Sequence, residues 1–163
     1  MLHILLRKAA NLGRYSAFVK LWLAPAWLLL GISRALVLAV SFKRLAPRLG
    51  RHGGAAPWVP LLEGKQEARA LQIGRVVRLA ARYTPWDSNC FAQAVTARLL
   101  LGLYRIPYAL YFGLARDSSK GPMKAHAWVA AGRVRVTGGP SFRQFTVVGC
   151  FVAPQLAAGR SPA

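Results

Sequence analysis

After Gly102 the hydrophobic pattern of this chain changes period, and no other feature of the sequence constrains its fold as much. Ahead of that point apolar residues fall at helical spacing; behind it come short segments rich in aromatic and β-branched residues. In "LLEGKQEARALQIGRVVRLAARY" Leu71, Val76, Val77 and Ala80 lie near one helical face, and Thr84, Pro85 and Trp86 end the pattern. "DSNCFAQAVTARLLLG" predicts a second helix from about Ser88 to Leu101, capped by Ser88 or Asp87. "YALYFGLA" then reads as a strand and "DSSKGPMK" as a loop. "AHAWVAAGRVRVTGG" reads as two strands joined at Ala131 and Gly132, with His126 opening the first and Val134 and Val136 alternating against Arg133 and Arg135 in the second. "FTVVGCFV" is a further strand. Helices first and antiparallel strands after make an α+β fold.

The front of the chain is hydrophobic, helical in character and free of acids through residue 45. "LWLAPAWLLLGIS" and "ALVLAVSF" are apolar runs separated by Arg34, with Pro25 interrupting the first. A membrane-spanning helix needs about 20 apolar residues. The stretch from Leu21 to Phe42 is that long only if Arg34 lies at its middle, which is costly. The apolar run starts too late for a cleavable signal peptide, and no small-residue cleavage site follows it. These helices are expected to pack on the domain or on a partner, with peripheral contact at the inner face of the membrane, and then a true span, as the alternatives. "APRLGRHGGAAPWVP" is a Gly- and Pro-rich break. It divides the chain into a basic front at 1–60, a domain at 61–152 and a patternless tail at 153–163.

Charge narrows the partners. Against 23 lysines and arginines stand four acids, Glu63, Glu67, Asp87 and Asp117, for a net charge of +19. Such an excess suits nucleic acid, an anionic membrane surface or an acidic protein. The basic residues are scattered singly or in pairs between apolar ones, without zinc-finger spacing or an RNA-binding signature, so no nucleic acid is expected. His3 and His52 have no partner in sequence, and the three or four closely spaced ligands of a zinc site are missing. A Walker loop, a dinucleotide fingerprint and a pair of nearby carboxylates are missing too. No metal or cofactor is expected, and the sequence is silent on ATP.

Two cysteines cannot staple a scaffold, which points to a reducing cytoplasm and free thiols. Cys150, mid-strand in "VVGCFV", reads as a structural residue. Cys90 lies in the first turn of its helix, where the helix dipole and a neighbouring imidazolium are the two devices that favour a thiolate. Free backbone N–H groups at such a turn can also hold an oxyanion. His126 would be the imidazole, if its strand packs across the start of the Cys90 helix. The plainer alternative, two core residues, fits the spacing equally well.

The segments "SNCFAQAVTARLLLGLYRIPYALYFGLA" and "KAHAWVAAGRVRVTGGPSFRQFTVVGCF" resemble the transglutaminase-like, papain-like cysteine peptidases of lasso-peptide biosynthesis. The resemblance covers about residues 60–152. It implies a Cys at a helix N-terminus packed on an antiparallel sheet carrying His, with Cys90 as nucleophile and His126 as base. It implies a leader peptidase acting on a precursor peptide, beside a separate winged-helix leader-recognition protein and a lasso cyclase. A transglutaminase-type acyl transferase, or a non-catalytic peptide-binding or membrane-surface maturation factor, are the rival functions. One departure stands out. The family's triad acid follows the histidine strand, whereas no Asp or Glu follows Asp117 here. A backbone carbonyl, Thr137 or Gln144 could orient the ring instead, or Asp117 from ahead of it.

Overall fold

The computed structural model describes residues 15–56, 58–116, 121–139 and 143–154. Among these residues four helices come first: α1 (Ala17–Ala39), α2 (Phe42–Leu49), α3 (Gly64–Ala81) and α4 (Cys90–Leu103), with the short strand β1 (Arg51–His52) between α2 and α3. Four strands follow: β2 (Ala109–Arg116), β3 (Met123–Ala131), β4 (Val134–Arg135) and β5 (Thr146–Val152). All pair antiparallel, in the order β1-β5-β2-β3-β4. The α+β layout expected from the change of period is the one that forms.

Strand alternation gives the sheet two apolar faces. Leu110, Ala127, Val129, Ala131 and Phe151 point to the helices and join the main core. Ala109, Tyr111, Trp128, Cys150 and Val152 form a second cluster on the opposite face, with Trp58, Phe145 and Val147 packed against it. The helical face of α3 is centred differently from the sequence expectation. Val76, Val77 and Ala80 are buried with Ala70, Ile73 and Gly74, while Leu71 is 47% exposed. The buried series 70, 73, 74, 77 follows helical spacing, and Leu71 lies one residue, about 100°, off it.

The front of the chain shares this core. α1 starts where the Ser16 hydroxyl accepts from the Val19 N–H at 3.4 Å, and it continues unbroken through Pro25 and Arg34. It packs on α3 and α4 through Val19, Ala26, Leu30 and Ser33. The Thr96 hydroxyl donates to the Ser33 hydroxyl at 3.0 Å in the buried seam with α4. Among the described residues α1 is the one helix long and apolar enough to cross a membrane by length and composition. Its outer face is bare: Leu21, Leu28 and Ile32 are all more than half exposed. The Gly- and Pro-rich segment is likewise built in, since β1 pairs with β5 and Gly53 and Gly54 both bond to the Cys150 backbone. The Tyr108 hydroxyl, donating to the Leu49 carbonyl at 2.9 Å and accepting from Arg98 Nε at 3.1 Å, ties α2 and α4 to the start of β2. Ala153 is buried behind β5, and 155–163 of the expected tail lie outside the described residues.

Candidate active site

Cys90 is the first residue of α4, and the cap is neither Ser88 nor Asp87 but Asn89. The Asn89 side-chain oxygen accepts from the Ala92 N–H at 3.0 Å. Ser88 is committed elsewhere: its hydroxyl meets the Thr84 hydroxyl at 2.8 Å, and its carbonyl accepts from Gln93 Nε2 at 2.7 Å. The Gln93 N–H bonds back to the Asn89 carbonyl. This arrangement leaves the N–H groups of Cys90 and Phe91 as the first-turn donors that neither the cap nor a preceding carbonyl takes up. Cys90 itself is half-buried and packs against the main core.

His126 is the fourth residue of β3, which starts at Met123 rather than at the histidine. Its ring is half-buried on the face of Trp128, stacking on Trp128 at 5.8 Å and on Phe145 at 4.9 Å between centroids. Nε2 lies 2.9 Å from the Gly138 carbonyl oxygen. A carbonyl can only accept, so Nε2 carries the proton and Nδ1 is the basic nitrogen of the neutral ring. The backbone must come very close for this to happen. Gly138 has φ +93°, and a Cβ there would sit 2.2 Å from Trp128 Cβ, so only glycine fits. Across the strand pair, Gly113 faces His126, and a Cβ on Gly113 would strike Phe145 at 2.7 Å.

Of the four alternatives for orienting the ring, the geometry therefore favours a backbone carbonyl. Thr137 is buried, and its hydroxyl accepts from the Val129 N–H at 3.1 Å, a bond that pins the β3–β4 hairpin. Gln144 is exposed, and the hydrogen bond of the imidazole goes to Gly138. Asp117 lies outside the described residues. Sequence reasoning did not single out Gly138; two consecutive glycines after a strand were the signal, and both have positive φ.

The structure brings Cys90 and His126 to one level of the sheet without bonding them. Phe91, beside Cys90, packs edge-on against Phe112 at 5.2 Å, and Phe112 pairs with Ala127, the neighbour of His126. The Cys90 side chain packs on the helix-side core, whereas the His126 ring stacks in the cluster of the other face. Cys150, expected to be structural, is fully buried, and burial pushes its thiol up to about 11. Burial and the nearby Cys150 raise Tyr111 to about 12, and its hydroxyl donates to the Trp58 carbonyl. Among the described residues no group of three or more His, Cys, Asp or Glu side chains could hold a metal.

A thiol at the start of a helix, two free amides beside it and a polarised imidazole on the adjoining sheet are the elements of nucleophilic acyl chemistry. Comparison with known proteins places the fold in the same setting: the transglutaminase-like superfamily matches residues 36–150. No curated protein and no solved structure matches the chain. The matched span takes in α2–α4, the whole histidine hairpin and most of β5, and the chain belongs to the transglutaminase-like superfamily.

Proposed function

We propose that this chain is a cysteine peptidase that removes the leader from a lasso-peptide precursor. The observation that supports it most is the imidazole of His126, anchored through Nε2 on Gly138 with Nδ1 left basic, on the sheet that receives the Cys90 end of α4. In the reaction Nδ1 takes the proton of Cys90 Sγ, and the thiolate attacks the carbonyl carbon at the leader–core junction. The Cys90 and Phe91 amides, which the cap does not take up, would hold the oxyanion. The C–N bond breaks, the imidazolium returns its proton to the leaving amine, and the leader remains as a thioester on Cys90. Water, deprotonated by His126, then hydrolyses the thioester and restores the thiol. The reading requires the imidazole to leave the sheet face on which it stacks, opposite the Cys90 side chain, and to reach Sγ in the substrate complex.

A separate winged-helix leader-recognition protein and a lasso cyclase complete the proposed system, working in the cytoplasm. The bare outer face of α1 and the +19 charge support a peripheral position at the inner face of the membrane. A second reading, a non-catalytic peptide-binding factor, draws on two observations: His126 is held by a carbonyl rather than a carboxylate, and it makes no bond to Cys90.

Incubating the protein with a lasso precursor and a winged-helix leader-recognition protein, with products resolved by mass, tests the proposal. Two fragments that together gain one water, lost with Cys90→Ala and His126→Ala, are expected. Incorporation of an added amine at the cut carbonyl would make the protein an acyl transferase instead. An intact precursor bound equally well by wild type and Cys90→Ala would leave the binding-factor reading.

A further inference from the structure

The sheet face turned away from the helices carries an open groove of about 510 Å³. Tyr111, Trp128 and Phe145 contribute its aromatic surface, and Arg133, Arg135 and Arg143, all exposed, supply its charge. The aromatic surface continues to the candidate base. Tyr111 stacks on Trp128 at 5.4 Å, Trp128 on His126, and His126 on Phe145. Among the described residues no acid lines this groove; Glu67 stands beyond its rim, near Gly132 and Arg133.

We propose that this groove binds an acidic, extended segment of the peptide substrate and delivers it to His126. The proposal rests on reading His126 as the base of a thiol peptidase, and it names the chemistry of the substrate. Three guanidinium groups on the rim suit carboxylates, which they can bind by paired, charge-assisted hydrogen bonds. The apolar surface that Val59, Phe145 and Val147 leave open between them suits the side chains that an extended peptide interleaves with its acids. Arginines beside aromatic rings also suit single-stranded nucleic acid, but that mode needs free ring faces for the bases. Here Trp128 and Tyr111 are 5% and 6% exposed and stack on each other, so their faces are already used. The charge pattern therefore favours carboxylates on a peptide over phosphates on a nucleic acid.

The test uses the Cys90→Ala full chain, so that binding is read without turnover. The probes are a fluorescein-labelled decapeptide alternating Glu with Leu and Tyr, the same peptide with Gln for Glu, and a labelled oligothymidine, followed by anisotropy. The Glu peptide is expected to bind more tightly than the Gln peptide. The triple variant R133Q/R135Q/R143Q should weaken it by at least about tenfold, as loss of charge-assisted contacts does. A charge-matched control on α2, K43Q/R44Q/R48Q, should stay within about twofold, because it changes only the screened distant field. Arg143→Gln alone, checked by circular dichroism and melting, guards against misfolding of the triple variant. Equal binding of Glu and Gln peptides, equal weakening by both triple variants, or tighter binding of oligothymidine that displaces the peptide would each overturn the proposal. Groove binding of the Glu peptide by a protein whose wild type cleaves no precursor would sink the peptidase reading and leave the groove standing.

Discussion

The imidazole of His126 is held by a backbone atom, and so the residue that fixes it is one without a side chain. Gly138→Ala would need a Cβ 2.2 Å from Trp128 Cβ at a φ of +93°, which an L side chain rarely adopts. We expect it to cost about 1–3 kcal/mol in urea unfolding. It should also release Nε2, so that long-range proton–nitrogen spectra change from a single Nε2–H tautomer to a mixture. An unchanged tautomer would mean that Gly138 is not the anchor. The two thiols should part company as well. Limiting iodoacetamide is expected to label half-buried Cys90 and spare fully buried Cys150 until the chain unfolds. Cys150 titrates at about 11 instead of 9.0, so the folded state keeps a proton that the unfolded chain loses. Its contribution to stability is complete below about pH 9 and is lost as pH rises through about 11. Cys150→Ala should therefore flatten the fall of the urea midpoint across that window. An unaltered slope would assign the fall to Tyr111 and other groups.

Helix termini and seams carry the next predictions. Asn89→Ala removes the acceptor for the Ala92 N–H, and we expect it to destabilise the fold by about 1 kcal/mol. Iodoacetamide labelling of Cys90 should change with it, whereas Ser88→Ala should leave the start of α4 in place. In the seam between α1 and α4, Thr96→Val leaves the buried Ser33 hydroxyl without its donor, at about 1–3 kcal/mol. The double variant Ser33→Ala/Thr96→Val should recover most of that loss; equal losses would show that the bond itself matters little. The order of elements was legible in the sequence because period and turn residues are local signals. Val134 and Val136 are buried and Arg133 and Arg135 exposed, as their alternation required. The cap slipped by one residue because Asp87, Ser88 and Asn89 are all good caps. The choice among them was made by Thr84 and Gln93, which occupy Ser88. Cys90 and His126 could be named from sequence, but the face on which the imidazole lies could not. That face is set by the strand's register with Gly113 and by the carbonyl of Gly138, a group that every residue possesses.

At the scale of the whole molecule, a +19 charge and a bare apolar helix face are expected to act together. Leu21, Leu28 and Ile32 are 71%, 58% and 55% exposed along one side of α1, with Lys20 exposed and Arg34 partly exposed on the same helix. Burying several such side chains in a lipid interface offers a few kcal/mol, and nearby basic residues add attraction to anionic headgroups. The protein is expected to float with vesicles containing phosphatidylserine and to stay behind with neutral phosphatidylcholine. L21Q/L28Q/I32Q should lower the bound fraction by about tenfold or more, since it removes the apolar term and keeps the charge. Raising salt from about 0.05 to about 0.5 M should weaken attachment of the wild type, because the Debye length shrinks several-fold. The same salt should raise the melting temperature, since 23 basic groups facing four acids repel one another in the compact state. Opposite responses of attachment and stability to one variable separate a surface field from a packing effect. If the triple variant floats as well as wild type, α1's outer face is not the contact. If salt leaves both unchanged, the charge excess has no part in either.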